Sequence, residues 1–250
     1  MCSRLIRWTE VVPDGVVEYL AGQLEISDHG CVKRYTERRT TRFEHADEIR
    51  AACGLREFDQ VDKELREWVD ARAWTTGDGP KAIFLDALRW LRERDVLLPG
   101  VMVLARLVAQ VRDEAYQRLW ATLHGRLTGE QQRLLDSLAV VPEGERFSPS
   151  ERWRRGAAKA SGLNMVKALD RVSQITGTGF GQLHPESAVP ARRLTELARY
   201  GMTASATQIR RHPSARRLAT LLSTVVHLES KAVDDALELL DLLMAPELLG

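Results

Sequence analysis

The stretch VPARRLTELARYGMTASATQIRRHPSARRLATLL (residues 189–222) combines helical periodicity with a dense block of positive charge. Pro190 and Pro213 predict helix starts, and Gly201 predicts a helix end between them. The stretch holds seven arginines against one acid, Glu196. The seven are Arg192, Arg193, Arg199, Arg210, Arg211, Arg216 and Arg217. We expect three short helices whose apolar sides pack inward and whose arginines face solvent.

Residues 198–207 fit the pattern of a helix-turn-helix unit, with Thr203 predicted to cap a short second helix that runs to about Arg211. The helical pattern alone also describes an ordinary αα-hairpin with a solvated arginine surface. The charge favours the first interpretation, because seven arginines and one acid leave little room for internal pairing. Arginine also has the side chain best shaped to contact phosphate and guanine edges.

Helical periodicity recurs along all 250 residues, whereas the alternation typical of strands is nearly absent. Pro13 and Pro80 predict helix starts, Thr128 predicts a helix cap, and the longest helix is expected after Leu97. A last helix over about 229–244 is predicted to pack inward through Val233, Leu237, Leu240 and Met244. The chain is therefore predicted to be all-α, a multi-helix bundle with helix-turn-helix-like DNA-binding subdomains.

The net charge of +1 hides an uneven distribution. Residues 152–217 carry thirteen Lys or Arg against three acids, and residues 218–250 carry one Lys against six acids. Such asymmetry indicates an acidic partner such as nucleic acid. VVPEGERFSPS (140–150) has the composition of a linker. We therefore predict an N-terminal helical DNA-binding subdomain over 1–145 and a second, basic one over 146–250.

Two further basic clusters are candidate DNA contacts. The first consists of Lys33, Arg34, Arg38, Arg39 and Arg42. Three of its arginines would form one stripe on a helix, but nearby acids make a plain solvated face an equal alternative. The second consists of Arg152, Arg154, Arg155 and Lys159. It either follows a nucleic-acid backbone or simply decorates a helix start.

Motifs for catalysis, cofactors and metals are weak. TGTGFG (176–181) lacks both the GxGxxG spacing and a preceding strand, so a flexible turn is favoured. The six histidines share no metal-ligand spacing, and Asp234 and Asp235 fit a solvated helix face better than a catalytic pair. The three cysteines suit free thiols in a reducing cytoplasm. We expect no catalytic residue, no cofactor, no metal, no membrane span and no signal peptide.

Six segments in order resemble the N-terminal region of transposases of the Tn-3 family. They are VPDGVVEYLAGQLEI (12–26), YTERRTTRFEHADEIRAACGLREF (35–58), LLPGVMVLARLVAQVRDEAYQRLW (97–120), WRRGAAKASGLNMVKALDRV (153–172), the stretch 189–222 and KAVDDALELLDLLMAPELLG (231–250). The likeness runs from about residue 8 to the C-terminus with its spacing kept. No single segment is a catalytic signature.

The resemblance implies helical modules that bind the terminal inverted repeats of a transposon, as double-stranded DNA. In this family an RNase H-like domain with Asp, Asp and Glu on Mg²⁺ lies far downstream, so the chain is expected not to be an enzyme. The expected protein is cytoplasmic and nucleoid-associated, starts late within the family's DNA-binding region and can pair with another transposase copy. The alternative is a non-catalytic helical scaffold or inhibitor that binds a protein partner such as full-length transposase.

Overall fold

A computed structural model describes residues 13–28, 41–156 and 159–248, and these residues form helices and no strand. The described helices are α1 (Asp14–Gln23), α2 (Thr41–Ala52), α3 (Asp62–Thr75), α4 (Pro80–Arg92), α5 (Val101–His124), α6 (Gly129–Leu138), α7 (Pro149–Trp153), α8 (Gly162–Thr176), α9 (Ala191–Thr203), α10 (Ala206–Arg210) and α11 (Ser214–Leu248). Short 3-10 turns occupy Phe58–Gln60, Phe180–Leu183 and Pro185–Ser187. The predicted all-α fold is confirmed.

The chain divides into two compact units. Unit 1 takes the described residues of Met1–Val69 and Pro80–Gln110, and unit 2 takes Asp70–Gly79 and those of Val111–Gly250. The predicted linker, 140–150, lies inside unit 2, where Ser148 and Ser150 are buried. The compact units thus do not follow a boundary near residue 145, although a division into two DNA-binding subdomains stays a prediction.

Unit 1 has its core on α3, α4 and the start of α5. Its buried apolar side chains include Val61, Leu65, Val69, Ile83, Ala87, Leu91, Leu104, Leu107 and Val108. The rings of Trp68 and Trp90 lie 6.3 Å apart between centroids. Pro80 is the first residue of α4 and Pro13 precedes α1, as predicted.

Unit 2 is organised around α11, a single helix of 35 residues. Two helices, starting at Pro213 and near residue 229, were expected here, and that expectation is wrong. No glycine or proline interrupts residues 214–245, so nothing in the sequence stops the helix. This helix, not the one after Leu97, is the longest of the described helices. Its first half is buried through Leu218, Leu221, Leu222, Val225 and Leu228.

Gly201 sets how closely α9 approaches α11. It lies within α9, two residues before the end of that helix, so it is not the predicted helix terminator. A methyl group at Gly201 would come within 1.8 Å of the Thr224 hydroxyl oxygen and 3.3 Å of the Thr220 methyl carbon. Both threonines are buried on α11. The glycine is therefore required by a close helix contact.

The second half of α11 packs against α8 through small residues. Ala168 of α8 is buried with Ala236 and Leu239 of α11. The face predicted to pack inward is instead exposed, with Leu237 55% exposed. Its four members are Val233, Leu237, Leu240 and Met244.

An ion-pair network joins α8 to α11. Arg171, a buried residue, donates from Nη1 to Asp235 Oδ2 at 2.7 Å and from Nε to the Trp153 carbonyl at 2.6 Å. Lys231 donates to Asp235 Oδ1 at 2.9 Å. Burial acts to raise the pKa of Asp235, but hydrogen bonds from Arg171 and Lys231 outweigh it and lower the pKa. Asp235 is thus a structural ion-pair partner, and its neighbour Asp234 is exposed.

We expect Gly201→Ala to destabilise the protein by about 1–3 kcal/mol, because the added methyl group overlaps the buried Thr224 side chain. At an open position within a helix the same change would stabilise by up to about 1 kcal/mol. Urea unfolding measures the difference. In a Thr224→Ala background the cost of Gly201→Ala should shrink, and an unchanged cost there would contradict the close contact as the cause.

We expect Asp235→Asn to lower the free energy of unfolding by roughly 2–3 kcal/mol near neutral pH, since Arg171 loses its anionic partner. The pKa of Asp235 is lowered below its ordinary value of 3.8, so its contribution is complete above that value and falls as acid protonates the folded carboxylate. Urea unfolding at several pH values should show the gap to the unmodified protein closing on acidification. Asp234→Asn is the matched control and should change stability by less than about 0.5 kcal/mol.

Candidate nucleic-acid interface

Helix α9 displays two arginines on its solvent face. Arg192 and Arg199 are exposed and seven residues apart, which separates them by roughly 10 Å along the helix axis. The opposite face carries the buried Leu197, Ala198 and Gly201. Since that face is packed in unit 2, the direction of the two exposed arginines is set by the core.

Arg193 is not on the surface, so the expectation that its side chain faces solvent is wrong, and its contact with DNA stays a prediction. Its side chain is 2% exposed and lies over the Tyr116 ring, 4.2 Å from the ring centroid. Its Nη1 donates to the Thr76 carbonyl at 3.1 Å and to the Glu196 carboxylate. The acid of the stretch 189–222 therefore neutralises a buried arginine and leaves the exposed ones uncompensated.

The turn between α9 and α10 consists of Ala204 and Ser205. Ser205, not Thr203, caps α10: its hydroxyl accepts from the Gln208 backbone N–H, and the Gln208 side chain accepts from the Ser205 N–H. Helix α10 has five residues and buries Ala206 and Ile209. The predicted order of helix, turn and helix is present, and its DNA-binding role stays a prediction.

Arg210 and Arg211, at the end of α10, are exposed. Arg216 and Arg217, the next two arginines along the chain, are partly buried. Arg217 forms a bidentate salt bridge with Asp136, in which Nε donates to Oδ1 at 2.7 Å and Nη2 donates to Oδ2 at 3.1 Å. Hydrogen bonding to Asp136 raises the pKa of Arg217. The expectation that the Arg217 side chain faces solvent is thus wrong, because its guanidinium is held by Asp136 within unit 2. Its contact with DNA stays a prediction. Arg216 is half-buried over the Trp120 ring, 5.2 Å from the centroid.

The basic cluster around α7 contains one partly buried residue and three exposed ones. Arg154 is partly buried, and its Nη1 donates to the Ala204 carbonyl at 2.6 Å, so it braces the turn before α10 instead of facing solvent. Burial lowers the pKa of Arg154. Arg152 is exposed and pairs with Glu145 at 3.3 Å. Arg155 and Lys159 are exposed, with the Arg155 guanidinium 3.6 Å from the Phe147 ring centroid.

Glu151 connects the two basic segments of unit 2. One carboxylate oxygen accepts from the Ser148 backbone N–H at 3.0 Å at the start of α7, and the other accepts from the Ala206 N–H at 3.0 Å at the start of α10. Burial acts to raise the pKa of Glu151, but these backbone hydrogen bonds lower it. The sequence shows the Ser148–Glu151 capping pattern but carries no signal for the contact with Ala206.

The N-terminal basic cluster lies largely outside the described residues. This applies to Lys33, Arg34, Arg38 and Arg39, whereas Arg42 falls within α2 and its side chain is not described. Their contact with DNA stays a prediction.

The exposed, uncompensated arginines of α9 and α10 are named here the α9–α10 arginines. They are Arg192, Arg199, Arg210 and Arg211. None of them forms an ion pair with a carboxylate of the described part of the chain. Their guanidinium groups are free to contact anionic oxygens in the geometry that arginine favours for phosphate.

Neither a metal site nor a membrane span is present in the described residues. No three His, Cys, Asp or Glu side chains of 13–28, 41–156 and 159–248 are placed to hold a metal ion. Within the same segments, none of the helices has the length and apolar character needed to cross a membrane. The TGTGFG segment (176–181) forms a turn in which Gly179 has a φ of +70°.

Comparison with known proteins shows that the sequence is similar to parts of several transposases. Residues 3–111 match a domain of unknown function, DUF4158. The chain is 37% identical over 238 residues to the transposase for transposon gamma-delta of Escherichia coli K12, which covers 94% of this chain and 24% of that protein. It is 52% identical over 111 residues to the transposase for transposon Tn4556 of Streptomyces fradiae, covering 44% of this chain and 12% of that protein.

A more distant relative extends over the same length. The transposase for transposon Tn501 of Pseudomonas aeruginosa is 25% identical over 237 residues, covering 92% of this chain and 23% of that protein. The chain therefore spans about a quarter of the length of the relatives that it matches over most of its own residues. Over that quarter, the protein is homologous to transposases of the Tn-3 family.

Proposed function

We propose that this chain contains a DNA-binding module that recognises the terminal inverted repeats of a transposon. The observation that carries the proposal is the state of the α9–α10 arginines. Glu196 and Asp136 compensate Arg193 and Arg217 internally. The four remaining exposed arginines keep a positive charge that nothing in the described residues neutralises.

Duplex DNA supplies the chemistry that such arginines bind. Each guanidinium that contacts a phosphate releases condensed counterions, so affinity falls steeply with salt. Contacts from four arginines give a slope of log affinity against log salt of about −4. Arginine can also read guanine through two parallel hydrogen bonds in the major groove, which would add sequence preference.

In the Tn-3 family the RNase H-like domain, with Asp, Asp and Glu on Mg²⁺, would supply cleavage, and this chain would position it on the transposon end. We further propose a cytoplasmic protein associated with the nucleoid, which can pair with a second transposase copy. Homology to transposases supports the DNA assignment in general.

We expect the double change Arg210→Ala/Arg211→Ala to weaken binding to a transposon-end duplex and to make the salt slope less negative by roughly 2 if both arginines reach phosphates. Fluorescence anisotropy at several salt concentrations measures both quantities. If the two arginines read bases instead, discrimination between the transposon end and a scrambled duplex should fall.

The matched control is Arg92→Ala/Arg133→Ala, which removes the same charge from exposed positions on α4 and α6. It should leave affinity and salt slope nearly unchanged. An equal effect of both double variants would mean that only net charge matters, which contradicts a specific role for the end of α10.

Substitutions of two adjacent arginines on α9 should have different effects, one on DNA binding and the other on stability. Arg192→Ala should weaken DNA binding and change the free energy of unfolding by less than about 0.5 kcal/mol, because Arg192 is exposed. Arg193→Ala should cost about 3 kcal/mol in stability, since it leaves Glu196 without its buried partner. Urea unfolding and anisotropy on both variants test the pair. The assignment fails if Arg193→Ala leaves the free energy of unfolding unchanged or Arg192→Ala leaves DNA affinity unchanged.

A second candidate function is binding to a protein partner, such as full-length transposase. One observation favours it: four large apolar side chains of α11 are exposed at the spacing of a coiled-coil seam. They are Val233, Leu237, Leu240 and Met244. The exposed acids Asp234, Glu238 and Asp241 lie on the same half of the helix and suit a partner helix with Lys or Arg beside its apolar stripe. Failure to bind either duplex at low salt would overturn the DNA proposal and leave this one.

A further inference from the structure

A cleft of about 310 Å³ opens between α5, α9 and α11 in unit 2. Three aromatic residues line it, Tyr116 and Trp120 of α5 and Tyr200 of α9, together with Arg112 and Arg216. Its volume lies at the lower end of the range for small-molecule sites, about 300–1,000 Å³. It is therefore large enough for one flat ring and the group attached to it.

The walls of the cleft consist of aromatic rings and guanidinium groups that pack against one another. The rings of Tyr116 and Trp120 lie 5.6 Å apart between centroids. The Arg216 guanidinium is 5.2 Å from the Trp120 centroid and 5.8 Å from that of Tyr200. Faces of these kinds stack on nucleobases without regard to sequence.

The charges of the cleft favour an anionic ligand with polar edges. Arg112 and Arg216 form no ion pair with any described carboxylate, whereas Glu196 is compensated by Arg193 and accepts from the Tyr116 hydroxyl. Asp113 is the remaining acid of the lining and can accept from an exocyclic amino group. A phosphate-linked base satisfies both requirements.

The rim of the cleft lies beside the proposed DNA contacts. Tyr200 directly follows Arg199, and its hydroxyl is 2.6 Å from Nε2 of His212, which directly follows Arg211. A strand whose backbone is held by the α9–α10 arginines would therefore pass close to Tyr200 at the rim. A base released from its pair at that point would have a stacking site within reach.

We propose that this cleft receives one unpaired nucleobase of a DNA strand whose backbone is held by the α9–α10 arginines. The inference rests on the proposed DNA-binding function. It adds a site that senses locally opened duplex, with Trp120 and Arg216 stacking on the base and Arg112 contributing positive charge.

The experiment compares a fully paired duplex with the same duplex carrying one unpaired adenine, using the full chain. We expect the unpaired base to tighten binding about fivefold or more, the effect of stacking one base. In Arg216→Ala this ratio should fall towards one. Arg133→Ala, which removes an exposed arginine of α6 outside the cleft, should keep it. Tryptophan emission should be quenched by the bulged duplex in the unmodified chain and less so in Trp120→Phe.

Each of the following outcomes would overturn the cleft proposal. A ratio of one in the unmodified chain, with the paired duplex still bound, overturns the cleft proposal and leaves the proposed function standing. A ratio that persists in Arg216→Ala, or quenching that persists in Trp120→Phe, places the unpaired base elsewhere and also overturns it. Absence of binding to both duplexes overturns the proposed function and the cleft proposal with it. Thermal unfolding of each variant confirms that the fold is retained.

Discussion

The contact between α9 and α11 at Gly201 is the constraint on which the basic surface of unit 2 depends. With no side chain at Gly201, α9 lies against the buried Thr220 and Thr224, and this contact sets which face of α9 turns inward. Arg193 is carried inward with that face, and Arg192 and Arg199 are carried outward. The packing of small groups therefore decides which arginines remain for a ligand.

Much of the helical framework follows from local sequence signals. Pro13 and Pro80 mark helix starts as predicted, and Thr128 closes a capping box with Gln131. These features are predictable because a proline or a capping side chain acts on backbone groups within three residues of itself. The single long helix α11 could also have been predicted, since no glycine or proline interrupts residues 214–245. Two helices were predicted there in spite of this.

Packing across long sequence distances was not predictable. Arg217 pairs with Asp136, 81 residues away, and Glu151 accepts from Ala206, 55 residues away. The inward face of the second half of α11 was predicted wrongly because the largest apolar side chains were expected to be buried, and leucine is larger than alanine. Close helix packing instead selected Ala232 and Ala236, and left Leu237 and Leu240 outside. The charge count of residues 189–222 likewise overstated the available surface, because it could not distinguish compensated arginines.

Two of the arginine doublets share one physical arrangement. In 192–193 and 216–217, one arginine is bound to a carbonyl or a carboxylate within unit 2 and its neighbour is left without such a partner. Consecutive residues on a helix point about 100° apart, so a doublet at the edge of a buried face places one side chain on each side of that edge. The inner arginine fixes the rotation of its helix, which fixes the direction of the outer one. Internal neutralisation and surface charge are thus coupled: the buried ion pairs that reduce the number of available arginines also hold the remaining ones in defined positions. A binding surface built this way has fewer charges than its sequence suggests, and each of them is better oriented.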